Sequence, residues 1–272
     1  MYTFNIIVKN ASLCEDIVHH IYTYLHMLSN TGQILHRDHL LVQKNNTIEI
    51  AVACPEIDSL DHKNSNKYGV EYQKKIEVGT GEKIEFLETG TEPDYPFPRY
   101  EIKRENSSFY ILRYSLSSPL LYGDTLKPVP LYKIPYTSDK DANGNDTCHD
   151  NIWSWERHYK SLYHLWLASQ EVTEEFAANQ MQNVHSIHNK KGRELCQIIE
   201  EKTGVPTYYF LFNYRNWTVQ EDLDRKCPIT GREWRINDKT SSDFIAFKCY
   251  ESRLVSELST NCIDQSNTCE NH

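Results

Sequence analysis

Two stretches near the C-terminus constrain this chain more than any others: Cys227-Pro228-Ile229-Thr230-Gly231 and Cys249-Tyr250-Glu251-Ser252-Arg253. Each has the spacing of a metal knuckle, in which two residues separate a pair of ligands. Two Cys-x2-Cys knuckles make a zinc ribbon, because four thiolates complete a tetrahedral site. Here each knuckle keeps its first cysteine, and a hydroxyl residue, Thr230 or Ser252, takes the second place. The ribbon surroundings persist: Gly231 closes the first knuckle, Trp234 follows, and Phe244, Phe247 and Lys248 lead into the second. A neutral hydroxyl is a poor substitute for the thiolate and imidazole ligands that zinc takes in structural sites. The expectation is a ribbon scaffold with an incomplete metal site at Cys227 and Cys249 and no cofactor. Zinc there would need two further ligands, for which Cys262, Cys269 and His272 of the tail are the candidates. Structural zinc supplies on the order of 10 kcal/mol of apparent folding free energy in zinc-finger peptides. Packing around Trp234, Phe244 and Phe247, or docking on helices, is expected to replace it.

The formal net charge of -9 narrows the classes of partner. A nucleic-acid binder needs its cations segregated into a patch or stripe. An acidic chain suits a basic protein partner, since opposite fields speed encounter. With 18 Tyr, 9 Phe and 5 Trp the chain has the apolar bulk to fold. No stretch approaches the roughly 20 apolar residues of a membrane span, and the opening Met1-Tyr2-Thr3-Phe4-Asn5 lacks the basic start of a signal peptide. The eight cysteines are scattered, so reduced thiols and a cytoplasmic location are expected.

Periodicity then orders the chain. Residues 2–8 alternate as a strand. Leu13, Ile17, Ile21, Leu25 and Leu28 mark one face of a helix over 11–28. Strands follow at 39–44 and 47–54 around Lys44-Asn45-Asn46, then a helix over 66–77 stopped by Gly79-Thr80-Gly81, then a strand at 83–87. The order β-α-β-β-α-β is that of a ferredoxin-like sheet. Residues 90–99 read as a proline-rich connector, Phe109–Tyr114 as a strand, 119–135 as extended, and Ser138 to Asp146 as a polar surface loop. Helices are expected around Ile152–Trp166, 171–184 and 190–203, the last stopped by Gly204 and Pro206. Tyr208–Phe212 reads as a short strand. The fold class is α+β: a ferredoxin-like part over 1–90, a strand-plus-helical part over 100–215, a degenerate zinc ribbon of β-hairpins over 223–256, and a loose tail over 257–272.

Several stretches of the second half together resemble a bacterial family of unknown function, described as containing a zinc ribbon. They are Pro128-Val129-Pro130-Leu131-Tyr132, Ser154-Trp155-Glu156, Gly192-Arg193-Glu194-Leu195-Cys196 and Thr203-Gly204-Val205-Pro206-Thr207-Tyr208-Tyr209, joined by Cys227-Pro228, Trp234, Phe247-Lys248-Cys249 and Arg253-Leu254-Val255-Ser256. The resemblance implies nucleic-acid binding through the ribbon. It also implies cysteines at positions 230 and 252, and a further Cys-x2-Cys where this chain has Tyr122 and Thr125.

The ribbon residues that would serve nucleic acid are Arg232, Trp234, Arg235, Lys248 and Arg253, cations interleaved with aromatic rings. Acidic residues, Glu233, Asp238, Asp243 and Glu251 among them, alternate with these and nearly cancel their charge. His36-Arg37-Asp38-His39 has the look of a small polar site, but its spacing fits no common zinc motif. His185 and His188 fall one turn apart on an expected helix surface, Cys196 reads as a packed thiol, and Cys148-His149 is adjacency without a dyad. Trp153, Trp155, Tyr159, Tyr163 and Trp166 are more aromatic bulk than one helix face needs. No phosphate loop, dinucleotide fingerprint or nucleophile elbow occurs. The chain is expected to be a binding protein and not an enzyme. It is either nucleic-acid-associated through the ribbon, or an acidic protein-binding module such as an immunity or antitoxin protein that masks a basic toxin.

Overall fold

A computed structural model describes residues 1–11, 15–35, 39–91, 107–115, 118–144, 146–168, 172–214, 217–236 and 244–259. The chain forms two compact units, one of Met1–Arg99, Ser115–Leu120 and Pro128–Asp150, the other of Tyr100–Tyr114, Leu121–Lys127 and Asn151–His272. The architecture is mixed α+β.

The first unit opens with β1 (Tyr2–Val8), α1 (Glu15–Asn30), β2 (Leu41–Lys44), β3 (Thr47–Cys54), α2 (Lys67–Thr80) and β4 (Glu85–Thr91). The strands lie in the order β2-β3-β1-β4, and each neighbouring pair is antiparallel. Alternation decides which face is covered: Phe4, Ile6 and Val8 of β1 and Ile48, Ile50, Val52 and Cys54 of β3 are buried. Against them pack Ile17, Ile21, Leu25 and Leu28 of α1 and Ile76 of α2. Asn66 caps α2 by accepting from the Gly69 amide at 2.7 Å. The helix outruns the expected stop. Gly79 lies within the helix, where a Cβ would come within 2.6 Å of Ile17, and Gly81 takes the left-handed turn at φ 70°.

Residues 128–135 of the stretch expected to be extended are part of this unit. Val129 and Leu131 are buried, and Tyr132 donates to Glu56 at 3.1 Å and meets Ser59 at 3.1 Å. The stretch from Ser138 to Asp146 is not a loop. It is a hairpin of β7 (Ser138–Lys140) and β8 (Asp146–Cys148), with Gly144 at φ 82° in its turn. Both strands are polar, so the hairpin left no alternation to read.

The second unit holds β5 (Tyr110–Leu112), β6 (Leu120–Tyr122), α3 (Asp150–Ala168), α4 (Val172–Gln182), α5 (Ile187–Thr203), β9 (Thr207–Phe210), α6 (Val219–Leu223), β10 (Phe247–Cys249) and β11 (Leu254–Ser256). Its sheet runs β10-β11-β9-β5-β6. β9 is parallel to both β5 and β11, while β10 and β11 pair antiparallel. All four residues of β9 are buried, the pattern of a central strand covered on both faces. Ser186 caps α5 by accepting from the Asn189 amide at 3.1 Å, and Gly204 ends it at φ 70°. Thr218 and Glu221 form a capping box on α6, a short helix that the sequence did not announce.

Candidate functional site: paired turns at Cys227 and Cys249

The first knuckle is shaped by backbone bonds. The Gly231 amide donates to the Cys227 carbonyl at 2.8 Å, and the Cys227 amide donates to the Arg232 carbonyl at 2.9 Å. Gly231 sits at φ 68°, where glycine carries no steric penalty. Arg253 holds the matching place in the second knuckle at φ 53°. A third turn of the same form occurs where the resemblance implied cysteines. The Leu126 amide donates to the Tyr122 carbonyl at 2.7 Å, the Tyr122 amide to the Lys127 carbonyl at 2.9 Å, and Leu126 lies at φ 57°. The knuckle backbone therefore forms at residues 122–127 without any cysteine.

The four positions expected from the knuckle spacing come together. Cys227 Sγ lies 3.2 Å from Ser252 Oγ, and Thr230 Oγ1 lies 3.8 Å from Cys249 Sγ. Both thiols are buried. Burial alone would raise the Cys249 pKa, but hydrogen bonds with the Ser252 side chain and backbone, Thr230 and Cys227 outweigh it and leave the thiol below its ordinary value. Zinc would find two sulfurs and two neutral hydroxyls, and this donor set does not fit a structural zinc site. Cys262, Cys269 and His272 lie outside the described residues.

Trp234 is 2% exposed, and its indole N–H donates to the Arg225 carbonyl at 3.0 Å. The ring packs on Phe247 at 5.2 Å, and the Arg225 guanidinium lies over both rings. Arg225 is itself paired with the buried Asp222 at 2.8 Å. The Lys248 ammonium sits 3.3 Å from the centre of the Phe109 ring and 4.6 Å from that of Tyr208, and burial lowers its pKa. Arg253 grips Glu200. At the surface Arg232 pairs with Glu251 at 2.7 Å and Lys226 with Glu233. Arg235 is exposed. Lys239, Asp238 and Asp243 lie outside the described residues. Two apolar tips stand out from the knuckles: Tyr250, 70% exposed, and Ile229, 39% exposed.

The other candidates fall in different places. His188 is buried, not on the surface, because the Trp155 and Tyr159 rings cover it, while His185 stays exposed. Cys196 is a buried thiol whose pKa burial pushes well above the ordinary value, as a packed core residue requires. Cys148 donates to Asp139 at 2.9 Å; burial first, then this bond, raises its pKa. Asp150 joins these two to make a group of three donors within 4.8 Å. His36, Arg37 and Asp38 lie outside the described residues. Three of the stretches that carry the resemblance converge: a Cβ on Gly192 would lie 2.1 Å from Tyr209 and 2.7 Å from Trp155. Tyr209 donates to Asn189 at 2.6 Å in the same cluster.

Three families match successive segments, each described only as a domain of unknown function: DUF8589 over residues 1–86, DUF2310 over 103–212 and DUF8594 over 218–262. Two uncharacterized proteins of Haemophilus influenzae are similar to the chain. One is 28% identical over 77% of this chain and 77% of its own length. The other is 31% identical over 53% of this chain and 66% of its own length. No solved structure matches. The chain is thus similar to bacterial proteins of unknown function. No helix among the described residues is long and apolar enough to cross a membrane.

Proposed function

We propose that the protein is a non-enzymatic, cytoplasmic binding protein whose C-terminal half-ribbon docks a basic protein. One observation carries this reading: among the described residues, Lys226, Arg232, Lys248 and Arg253 are paired or packed on rings, with Arg235 left exposed, while the knuckle tips Ile229 and Tyr250 stand out. Exposed apolar tips, one of them aromatic, beside ion-paired side chains suit a protein interface. The net charge of -9 favours a basic partner over a phosphate backbone. An immunity or antitoxin protein masking a basic toxin has this character. Two finer structural readings belong with it. The strand order β2-β3-β1-β4, antiparallel throughout, supports a ferredoxin-like first part. The paired left-handed knuckle turns support a zinc ribbon that has lost its metal.

The nucleic-acid reading keeps Arg235 and Arg232 as its surface cations, with Trp234 inside the fold. Affinity capture from the native cell, with and without nuclease, separates the two readings. A single basic protein retained after nuclease, and lost with Tyr250→Ser, supports docking. Retention of nucleic acid, abolished by Arg235→Gln and weakening with salt, overturns it.

A further inference from the structure

Helices α3 and α5 enclose a cleft of about 290 Å3, lined by Ser154, Trp155 and His158 on one side and by His188, Lys191 and Glu194 on the other. At the small end of ligand pockets, it has room for a compact molecule only. His188 forms part of its wall. The imidazole is 7% exposed, stacked on Trp155 at 5.6 Å and 15°, with Tyr159 at 5.3 Å. Its Nε2 has no hydrogen-bond partner among the described residues. An orphaned buried polar atom is costly, and native proteins hold few of them. Burial first, then His158 and Lys191, lowers the His188 pKa to about 4, so the ring is neutral at physiological pH. Lys191 and Glu194 stand three residues apart on the exposed rim, one cation and one anion on the same lip.

We propose that this cleft binds a small zwitterion of the α-amino acid class. Its carboxylate lies toward Lys191 and His158, and its ammonium toward Glu194. The neutral His188 ring forms part of the inner wall, with its Nε2 closed off from the cleft. The opposed charges of the lip select against simple anions and simple amines, each of which meets one repulsive neighbour. The proposal is independent of the docking surface, which lies on the knuckles.

The test uses the full chain, each of the twenty common amino acids at millimolar concentration, and the matching decarboxylated amines. Melting temperature and the imidazole resonances of His188 are read together. At least one amino acid is expected to raise the melting temperature and shift the His188 signals. Lys191→Met and Glu194→Gln, both on the exposed rim, are each expected to weaken binding roughly tenfold, a loss of about 1.4 kcal/mol, with the far-ultraviolet spectrum unchanged. The proposal is overturned if no amino acid moves the His188 resonances. It is equally overturned if both variants bind like the parent, or if an amine binds as well as its amino acid.

Discussion

The guanidinium of Arg253 meets the carboxylate of Glu200 at two points, Nη2 to Oε1 at 2.8 Å and Nε to Oε2 at 3.0 Å. The same arginine also donates to the Tyr250 carbonyl at 2.7 Å. These bonds hold a non-glycine residue at φ 53°, in the place that Gly231 fills without penalty in the other knuckle. Backbone and side chain therefore oppose each other at position 253. Arg253→Ala loses the ion pair and keeps the strain, whereas Arg253→Gly loses the pair and relieves the strain. The glycine variant is expected to be more stable than the alanine variant by about 1 kcal/mol in urea unfolding. Equal stabilities would mean that the turn is unstrained.

The same pair sets an acid limit. Arg253 first among its neighbours holds Glu200 below its ordinary value of 4.5. A depressed carboxylate contributes stability above its unfolded pKa, and the contribution is lost as pH falls through the folded pKa. Melting curves between pH 6 and pH 3 should therefore fall less steeply for Glu200→Gln than for the parent.

Glu257 has the opposite sign. Burial raises its pKa to about 7, against the pull of Arg113 and Arg225. Its contribution is full below the unfolded value of 4.5 and fades as pH rises through 7. Glu257→Gln is expected to gain about 1 kcal/mol at pH 8 relative to the parent, roughly 2–4 °C in melting temperature. The gain should vanish at pH 5. A variant equally stabilised at both values would place the effect in packing and not in charge.

Placing sulfurs at the two hydroxyl positions tests whether the paired turns can hold zinc. Thr230 and Ser252 already touch the two thiols at 3.8 and 3.2 Å. The double variant Thr230→Cys with Ser252→Cys should bind one zinc per chain after gel filtration, and zinc should raise its melting temperature. The parent should show neither effect. Stoichiometric zinc in the parent would show that ligands beyond these four positions complete its site.

Gly192→Ala should be severe. Its Cβ would fall 2.1 Å from Tyr209 in a cluster where Trp155 and Asn189 are also fixed. Overpacking of this kind costs typically 1–3 kcal/mol or more. A loss below about 0.5 kcal/mol in urea would mean that the ring moves aside freely.

The sequence carried the first unit well. Ile17, Ile21, Leu25 and Leu28 showed the buried face of α1, and the strands expected at 2–8 and 47–54 are β1 and β3. The knuckle spacing also brought Cys227, Thr230, Cys249 and Ser252 to one point. What stayed hidden was long-range. Nothing local says that β11 pairs in parallel with β9, since the pairing depends on two short strands far apart in the chain. Nor did composition reveal which cations face inward. Lys248 reads as surface charge, yet the rings of Phe109 and Tyr208, which lie far away in sequence, enclose it. His188 misled for the same reason: its cover comes from α3, and helical spacing within α5 cannot show it.

The parallel seam between β9 and β11 has a consequence for the chain as it is made. While residues 207–210 leave the ribosome, their partner at 254–256 has not yet been synthesised. One edge of a fully buried strand thus stays bare through more than forty further residues, and a bare edge is what other chains add themselves to. A chain halted before Leu254 lacks more than a terminal turn: it has an open seam in its own sheet. Closing that seam falls to β11, the last strand among the described residues, so the sheet is completed only when the growing polypeptide has passed Ser256.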